Sequence, residues 1–599
     1  MKAIREQARR DCAHDVSPAG PKIIPIPAKL RSSTTMMQLH SDYDDTGHYA
    51  RRVDFERLYK QSRDDLTVHD MLLLPKRTAE FDAQLISFAN EKDKKVFIDR
   101  HGNVTAIIGN PGMGKTTLAK QLVVQFLDEQ ILPNNTILFF IFIRRIDFQK
   151  TMSLLEFLLS HILPHVNPSK EFGDYLLQKI AEDRDAVIVL DGLDEMLVDD
   201  FTFRAPAVNL HDHAKPIHFL LNLISGKLLP YARIIVTSRP KQFYQLHVDH
   251  RPRFVFEVLG LDEADRDQLA YQICPDKYNQ IKEVFQTNIK LSSYCYVPIN
   301  FILALHYLME NVQDTGFVSI TKVISSVCSK YLRGEQVRGQ SLELTRLSEL
   351  AWNGFFRKQV TFGRHDLVEV GLDHDSLTSF LTPADAFGLA PALLSGDKRI
   401  HFAHLLWQEF FAAVYLMLSA SADEFDKGLE YIWDEQWEFV TMCLFGLCNH
   451  SVVRYLLQTT SFHYASRQWK KKKDLLQKVV ASYLHQQCNH LTTNIKGETT
   501  VEKGLDLKTI RSVCSWIREA NDREVIENLV PLIAHRISFS DTILPSDVSN
   551  LFFVLQSFPK HWTIEVYNCD FLGNAMERFC LEVRRINALV GIHFCRYIA

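Results

Sequence analysis

Short runs of apolar residues alternate with longer amphipathic stretches between residues 101 and 256. The runs, which are rich in β-branched residues, predict buried strands, and apolar residues that recur every three or four positions predict helices. Strands that alternate with helices are typical of a parallel sheet. We therefore predict an α/β domain with a parallel five-stranded sheet. Its strands are expected at residues 104–108, 137–143, 186–190, 233–237 and 254–258.

The pattern is different on both sides of this domain. Residues 1–50 contain several prolines and a run of Ser and Thr, which favour a flexible segment. Residues 51–100 are charged and carry apolar residues at helical spacing, so we expect a helical linker there. From residue 257 to about residue 540 the pattern is almost entirely helical.

The spacing of the apolar residues changes again near the C-terminus. Residues 564–571 fit L-x-L-x-x-[NC]-x-L, which is the strand half of a leucine-rich repeat. One such unit cannot bury its own apolar face, and the sequence shows no second clear copy. We expect a truncated or vestigial repeat domain, with a capping remnant or a chance match as the alternatives.

Composition and charge narrow the class of protein. Apolar residues make up 46% of the chain and charged residues 23%, which is ordinary for a soluble globular protein. The net charge of −4 gives no argument for nucleic acid or an anionic membrane, and we interpret the basic run at 470–473 as a solvated helix end. Eleven cysteines without a C-x-x-C pair favour a reducing compartment. With no signal peptide and no apolar run long enough to span a bilayer, we expect a cytoplasmic protein.

The strongest motif follows the first predicted strand. Residues 109–116 fit G-x-x-x-x-G-K-[ST], the phosphate-binding loop, and residues 117–126 have the pattern of the helix that follows such a loop. Three glycines permit positive φ, so that successive N–H groups can point into one concavity, and the helix N-terminus adds partial positive charge. A chance glycine-rich turn is the alternative. The predicted nucleotide-binding residues are Gly109, Asn110, Pro111, Gly112, Met113, Gly114, Lys115, Thr116 and Thr117.

Two of these residues have specific expected roles, and charged residues after later strands extend the site. Lys115 can reach the β- and γ-phosphates, and the Thr116 hydroxyl can ligate Mg²⁺. Asp191 ends a run of four apolar residues in a Walker B arrangement, and it would orient Mg²⁺ through water. The alternative for such an acid is a turn after a buried strand.

Three further residues are candidates for the chemistry of the γ-phosphate. Asp194 or Glu195 would position or deprotonate an attacking water. Arg239, which follows the next predicted strand, would contact a γ-phosphate and report its loss. The alternative for Arg239 is a residue that caps a helix or forms a surface ion pair.

Together these motifs resemble the NACHT domain of the NOD-like receptor family, within the signal-transduction ATPases. The stretches G-N-P-G-M-G-K-T-T (109–117), L-D-G-L-D-E (190–195) and T-S-R-P (237–240) occur in the family's order. The signature F-x-H-x-x-x-Q-E-F-F-A-A (402–413) resembles the end of the family's winged-helix domain. The resemblance covers roughly residues 60 to 540.

The resemblance implies a domain order and a cofactor. The order is a nucleotide-binding domain at 101–256, a first helical domain at 257–316, a winged-helix domain at 317–418, a second helical domain at 419–540 and a repeat-like tail at 541–599. The fold class is thus a P-loop NTPase followed by all-α helical and winged-helix domains, with the start of a leucine-rich repeat region. The cofactors implied are ATP or ADP with Mg²⁺.

Two more site residues follow from the resemblance alone. His404 would touch the β-phosphate of ADP and lock the winged helix onto the nucleotide domain. Pro298 would pack on the adenine or sugar side of the pocket. From the residues themselves, a core histidine and a helix-breaking turn are the alternatives.

The family implies a switch in which ADP holds the protein closed and ATP opens it into a ring or disc of its own copies. Slow hydrolysis would reset the switch, and an unknown adaptor would carry an immune or cell-death signal. Family receptors usually carry an N-terminal adaptor domain and many C-terminal repeats, neither of which is clear in this sequence. The alternatives are a remodelling ATPase of the AAA type that turns over continuously, and a non-catalytic scaffold with a structural nucleotide. We expect no nucleic-acid partner and no membrane span.

Overall fold

A computed structural model describes residues 30–32 and, with gaps, residues 103–595. The gaps of five or more residues are 128–136, 160–168, 196–203, 312–317, 338–343, 373–379, 384–399, 458–465, 494–498 and 502–506, and shorter ones include 110–111. The described chain forms two compact units, one that ends at Leu261 and one that begins at Asp262. The predicted linker at 51–100 and most of the segment at 1–50 lie outside the described residues.

The first unit is built on a central sheet. Its described strands are β1 (Leu30–Ser32), β2 (Val104–Ile108), β3 (Leu138–Phe142), β4 (Met152–Ser153), β5 (Val187–Asp191), β6 (His213–Ala214), β7 (Arg233–Ser238) and β8 (Phe254–Val258). The sheet order is β1-β8-β2-β7-β5-β3, and all of these strands except β1 run parallel. The prediction of a parallel five-stranded sheet is confirmed. Strands β4 and β6 form a separate antiparallel pair.

Helices surround this sheet, which explains why its strands are buried on both faces. Those described in the first unit are α1 (Lys115–Leu127), α2 (Leu154–Leu159), α3 (Lys170–Glu182), α4 (Pro216–Ile224) and α5 (Pro240–Gln245). The core contains residues of the strands together with α2 and α4, where the rings of Phe157 and Phe219 lie 6.0 Å apart.

Strand β1 lies in the segment that the sequence predicts to be flexible. It pairs antiparallel with β8, and Arg31 stands opposite Glu257 in the register. The prediction of flexible chain is therefore wrong at residues 30–32. The edge of a sheet offers unpaired N–H and C=O groups, so that a short extended segment can pair there whatever the composition around it.

The second unit is mainly helical. Its described helices are α6 (Glu263–Ile273), α7 (Tyr278–Thr287), α8 (Ile289–Tyr294), α9 (Pro298–Asn311), α10 (Ile320–Val337), α11 (Leu344–Phe356), α12 (Arg364–Glu369), α13 (Leu405–Val414), α14 (Ala422–Leu429), α15 (Glu438–Gly446), α16 (His450–Leu457), α17 (Ser466–Gln487), α18 (Leu507–Ala520), α19 (Arg523–Leu529), α20 (Pro545–Ser557) and α21 (Ala575–Arg585). Among the described helices, none alone is long and apolar enough to cross a membrane. Helices α15 and α16 reach that length and composition only as a pair, which is bent by 93°.

Short strands occur at three places among these helices. They are β9 (Thr361–Phe362), β10 (Leu381–Pro383), β11 (Ile400–Phe402), β12 (Leu491–Thr493), β13 (Thr499–Val501), β14 (Arg536–Phe539), β15 (Trp562–Tyr567) and β16 (Val590–Cys595). Strands β9, β10 and β11 form an antiparallel sheet beside α10 to α13, within the region predicted as a winged helix. Gly354 on α11 permits close packing there, because a Cβ atom would lie 2.4 Å from Phe362 and 2.8 Å from Gln408.

The tail contains a repeat that the sequence pattern shows only once. Strands β14, β15 and β16 are parallel neighbours, and α20 and α21 connect them. Ile537 pairs with Ile564, and Ile564 pairs with Ile592, so the unit recurs after 27 and then 28 residues. The structure therefore contains three copies of the unit, of which the sequence pattern shows one. The flanking copies escape the pattern because Thr542 and Tyr597 stand where the consensus requires Asn or Cys.

The basic run at 470–473 is only half solvated. Lys472 is buried and donates to the carbonyl oxygens of Leu416 and Ala420, at 2.8 and 2.6 Å. Lys473 is also buried and pairs with Asp522 at 2.7 Å. The interpretation as a solvated helix end is wrong for these two lysines, because carbonyl and carboxylate partners compensate their charge inside the unit.

Candidate functional site

The phosphate loop connects β2 to α1 in the first unit. Gly112 and Gly114 have φ angles of 79° and 87°, a conformation that other residues rarely adopt. A Cβ atom on Gly114 would meet no heavy atom within 4 Å, so the loop leaves open space at this point. Helix α1 begins at Lys115, whose Nζ donates to the carbonyl oxygen of Gly109 at 2.8 Å.

Gly109 differs from the other two glycines. Its φ lies outside the positive range, and a Cβ atom would make ordinary contacts with Val258 at 3.4 Å. Gly109 does not use the positive φ that glycine permits, because it still follows the sheet and donates its N–H to the carbonyl of Ser238 at 3.2 Å. Asn110 and Pro111 lie outside the described residues. Met113 is buried and Thr117 is half-buried.

The predicted magnesium residues lie together at the carboxyl ends of the strands. The Thr116 hydroxyl donates to the two carboxylate oxygens of Asp191 at 3.0 and 3.2 Å. Asp191 is buried as the last residue of β5. Gly192 follows with a φ of 86°, which turns the chain away from the sheet.

A residue without a predicted role completes this group. The Thr237 hydroxyl, near the end of β7, donates to Asp191 Oδ1 at 2.7 Å and accepts the N–H of Gly192 at 2.8 Å. Thr237 thus fixes both the carboxylate and the turn behind it. Its signal in the sequence is a polar residue near the end of an apolar strand, two positions before the arginine of the T-S-R-P stretch.

This donor set fits a magnesium nucleotide. The Asp191 carboxylate and the Thr116 hydroxyl are hard oxygen ligands of the kind that Mg²⁺ prefers. The open loop, its positive-φ glycines and the N-terminus of α1 are suited to phosphate oxygens. A bound nucleotide would supply the phosphate charge, and the residues of the chain would hold and orient it.

The predicted sensor and one predicted catalytic acid contact each other. Arg239 Nε lies 2.7 Å from Asp194 Oδ2, and the Arg239 backbone N–H donates to Asp194 Oδ1 at 3.0 Å. The Asp194 side chain is only 6% exposed, whereas that of Arg239 is 32% exposed. The side chain of Glu195 lies outside the described residues.

The two residues implied by the resemblance lie in the second unit. Pro298 is buried as the first residue of α9. His404 caps the N-terminus of α13, and its Nδ1 accepts the N–H of Leu406 at 3.0 Å. This contact gives His404 a local structural role. Contacts of either residue with a nucleotide stay predictions.

The fold and the site define a P-loop NTPase domain. The model of the NACHT domain family matches residues 103–277, so this P-loop domain is a NACHT domain. The resemblance to NACHT-domain proteins of the NOD-like receptor family is confirmed by curated relatives.

Human NACHT, LRR and PYD domains-containing protein 12 is 28% identical over 397 residues, which cover 62% of this chain and 36% of that protein. Human NACHT, LRR and PYD domains-containing protein 3 is 27% identical over 388 residues, covering 58% and 35%. The rat protein NACHT, LRR and PYD domains-containing protein 1a allele 1 is 27% identical over 419 residues, covering 66% and 33%. The chain therefore spans about a third of the length of these relatives.

Solved structures show a more distant similarity. A STAND protein with a tetratricopeptide repeat sensor from Pyrococcus horikoshii is 12% identical, with a TM-score of 0.24 over 83% of this chain and 64% of that one. The S. cerevisiae Hsp104-ADP complex is 10% identical, with the same TM-score over 86% and 66%.

Proposed function

We propose that this chain is a signalling switch controlled by ATP and ADP. The observation that carries the proposal is the 3.0 Å contact between Thr116 and Asp191 beside a glycine loop with open space. These groups are suited to holding Mg²⁺ and the phosphates of a nucleotide. The chain would be a slow ATPase, with hydrolysis serving to reset the switch.

The switch would act through two states. With ADP, the contact of His404 with the β-phosphate would keep the protein closed. With ATP, the γ-phosphate would engage Arg239 and favour an open form that assembles into a ring or disc. A ligand shifts such an equilibrium only by its differential affinity, and reversal from 1:99 to 99:1 needs roughly 5.5 kcal/mol.

The proposed setting is the cytoplasm, where the chain would act in innate immune or cell-death signalling through an adaptor of unknown identity. The names of the relatives include LRR and PYD domains. In this chain the parallel strands β14 to β16, with their spacing of 27 and 28 residues, support the start of a leucine-rich repeat stack.

The direct test is to identify the nucleotide that the purified chain carries. The protein is denatured, and the released nucleotide is identified and counted by chromatography. About one ADP per chain is expected for a closed resting state. Empty protein with rapid ATP turnover would instead favour a remodelling ATPase, and a nucleotide whose exchange leaves the oligomer unchanged would favour a scaffold.

Replacement of Lys115 tests the phosphate loop itself. Lys115→Ala is expected to abolish nucleotide binding, because the β- and γ-phosphates lose their cation. Lys215→Ala is a matched control, since Lys215 is exposed in the same unit before α4. Equal nucleotide affinity in the two variants would refute the site.

Replacement of His404 tests the proposed lock, and the cap that His404 forms must be kept intact. His404→Asn retains an oxygen that can accept the Leu406 N–H, whereas His404→Leu does not. We expect both variants to lose ADP and assemble, with only the leucine variant losing helix stability. His365→Leu, at an exposed position, is the control. Retention of ADP by a monomeric His404→Asn protein would count against the lock.

A further inference from the structure

The pairing of Asp194 with Arg239 changes the role that the sequence suggests for the acid. Both carboxylate oxygens of Asp194 are engaged by one residue: Oδ1 accepts the Arg239 backbone N–H, and Oδ2 lies 2.7 Å from Arg239 Nε in an ion pair. A carboxylate that positions or deprotonates water must aim an oxygen at that water. Here the two oxygens are aimed at an arginine.

The fold holds this pair in place from both sides. Asp194 lies in the helical turn Leu193–Glu195 directly after β5, and Arg239 lies between β7 and α5. Strands β5 and β7 are hydrogen-bonded neighbours, with Leu190 opposite Val236. The pair therefore lies at the same sheet edge as the phosphate loop, which follows the other neighbour of β7.

The two side chains of this ion pair differ in their exposure to solvent. Asp194 is nearly inaccessible, so its charge needs the arginine as a counter-ion, whereas Arg239 is one-third exposed. The bond through Nε uses one edge of the guanidinium. Within the described residues, Nη1 and Nη2 donate no hydrogen bond, so four of the five N–H donors can bind an anion.

We propose that Asp194 is a positioning residue, which holds Arg239 by Nε so that its two Nη groups can read the γ-phosphate and distinguish ATP from ADP. A guanidinium fixed by one edge loses less freedom when the other edge binds a phosphate with two parallel bonds. Glu195 would then be the residue that positions the attacking water. This inference rests on the proposed nucleotide switch.

The test measures affinity rather than turnover. Dissociation constants for ADP and for a non-hydrolysable ATP analogue are measured in the presence of Mg²⁺ for the full chain and for Asp194→Ala, Arg239→Ala and the double variant. Each single variant is expected to lose about tenfold of the ATP-to-ADP preference, as for loss of a hydrogen bond between charged groups. The double variant should lose no more than the single ones, because both remove the same contact.

Three controls make the outcome decisive. Unchanged ADP affinity in each variant shows that the phosphate loop is intact. Asp194→Asn keeps the shape and one acceptor oxygen, so it should lose less of the preference than the alanine variant. Glu195→Gln should slow hydrolysis and leave the ATP-to-ADP preference as it is.

Several results would overturn the inference. An unchanged preference in Asp194→Ala with slower hydrolysis would make Asp194 a base, and additive losses in the double variant would make the two residues independent. An unchanged ATP-to-ADP preference in Arg239→Ala would show that Arg239 does not sense the γ-phosphate. If the unaltered chain binds neither nucleotide, the proposed function fails together with the inference. The result for Arg239→Ala would also remove Arg239 from the proposed switch, whereas the outcomes for Asp194→Ala and the double variant affect the inference alone.

Discussion

The Thr237 hydroxyl is the smallest group whose removal should disturb the candidate site. It donates to Asp191 Oδ1 at 2.7 Å and accepts the Gly192 N–H at 2.8 Å, and all of these atoms are enclosed. Thr237→Val keeps the shape of the side chain and its preference for a strand, while it removes both hydrogen bonds. The substitution therefore isolates the hydroxyl.

The magnitude follows from the two bonds. A hydrogen bond to a charged group contributes about 1.5–3 kcal/mol, and a buried N–H without a partner costs about 1–3 kcal/mol. Since Asp191 keeps its contact with Thr116, the lower ends of these ranges apply to the carboxylate. We expect Thr237→Val to lower the free energy of unfolding of the first unit by about 2–4 kcal/mol.

The assay is denaturant unfolding, followed by nucleotide binding at increasing Mg²⁺ concentrations. Thr105→Val is the matched control, because Thr105 lies on the adjacent strand β2 and its hydroxyl bonds to no described residue. It should change stability by less than about 1 kcal/mol. Thr237→Ser should keep the Mg²⁺ dependence of binding and lose only about 1 kcal/mol for the methyl group. Equal stability of the two valine variants would refute the reasoning.

Two further predictions concern packing and pH. Gly446→Ala should destabilise the second unit by about 2 kcal/mol or more, because its Cβ would lie 2.1 Å from the Thr321 hydroxyl oxygen. In the control Gly428→Ala the nearest atoms are at 3.1 Å on a flexible leucine, so thermal unfolding should separate the two variants. Burial lowers the pKa of His250 below its ordinary 6.5, and its Nε2 accepts the Ala205 N–H at 2.9 Å. The folded state therefore holds His250 neutral, and its contribution to stability is lost as the pH falls below about 6.5. His250→Gln should make the loss of unfolding free energy between about pH 7.5 and about pH 5.5 shallower, and an unchanged slope would contradict this assignment.

The sequence predicts the nucleotide domain well, since its information is local. The five parallel strands appear as apolar runs because both of their faces are buried, and the phosphate loop has a fixed spacing of glycines and lysine. The tail is harder to predict. Its three described strands pair with each other, but Thr542 and Tyr597 stand in the flanking copies where the consensus requires Asn or Cys, so that a consensus pattern detects only the copy at Cys569.

The sequence does not show which distant residues contact each other in the fold. Spacing identifies Asp191, Asp194 and Arg239 as candidates, but it does not show that Arg239 takes both oxygens of Asp194. The same limit applies to Lys472. A basic run predicts a solvated surface, and the sequence does not show the backbone carbonyls to which Lys472 donates. These contacts join residues 45 to 56 positions apart.

The contacts of β7 limit how the proposed switch can move. The chain at residues 237–239 is fixed on both sides: Gly109 donates to the carbonyl of Ser238, and the Arg239 N–H donates to Asp194. A shift of this strand end would break bonds to the phosphate loop and to the acidic turn at the same time. A response to the γ-phosphate therefore costs less if this backbone stays in place and the Arg239 guanidinium, held by Asp194, only gains or loses a phosphate partner. The first step of the proposed switch is then a change of charge beside one fixed side chain, and larger movements follow from that change.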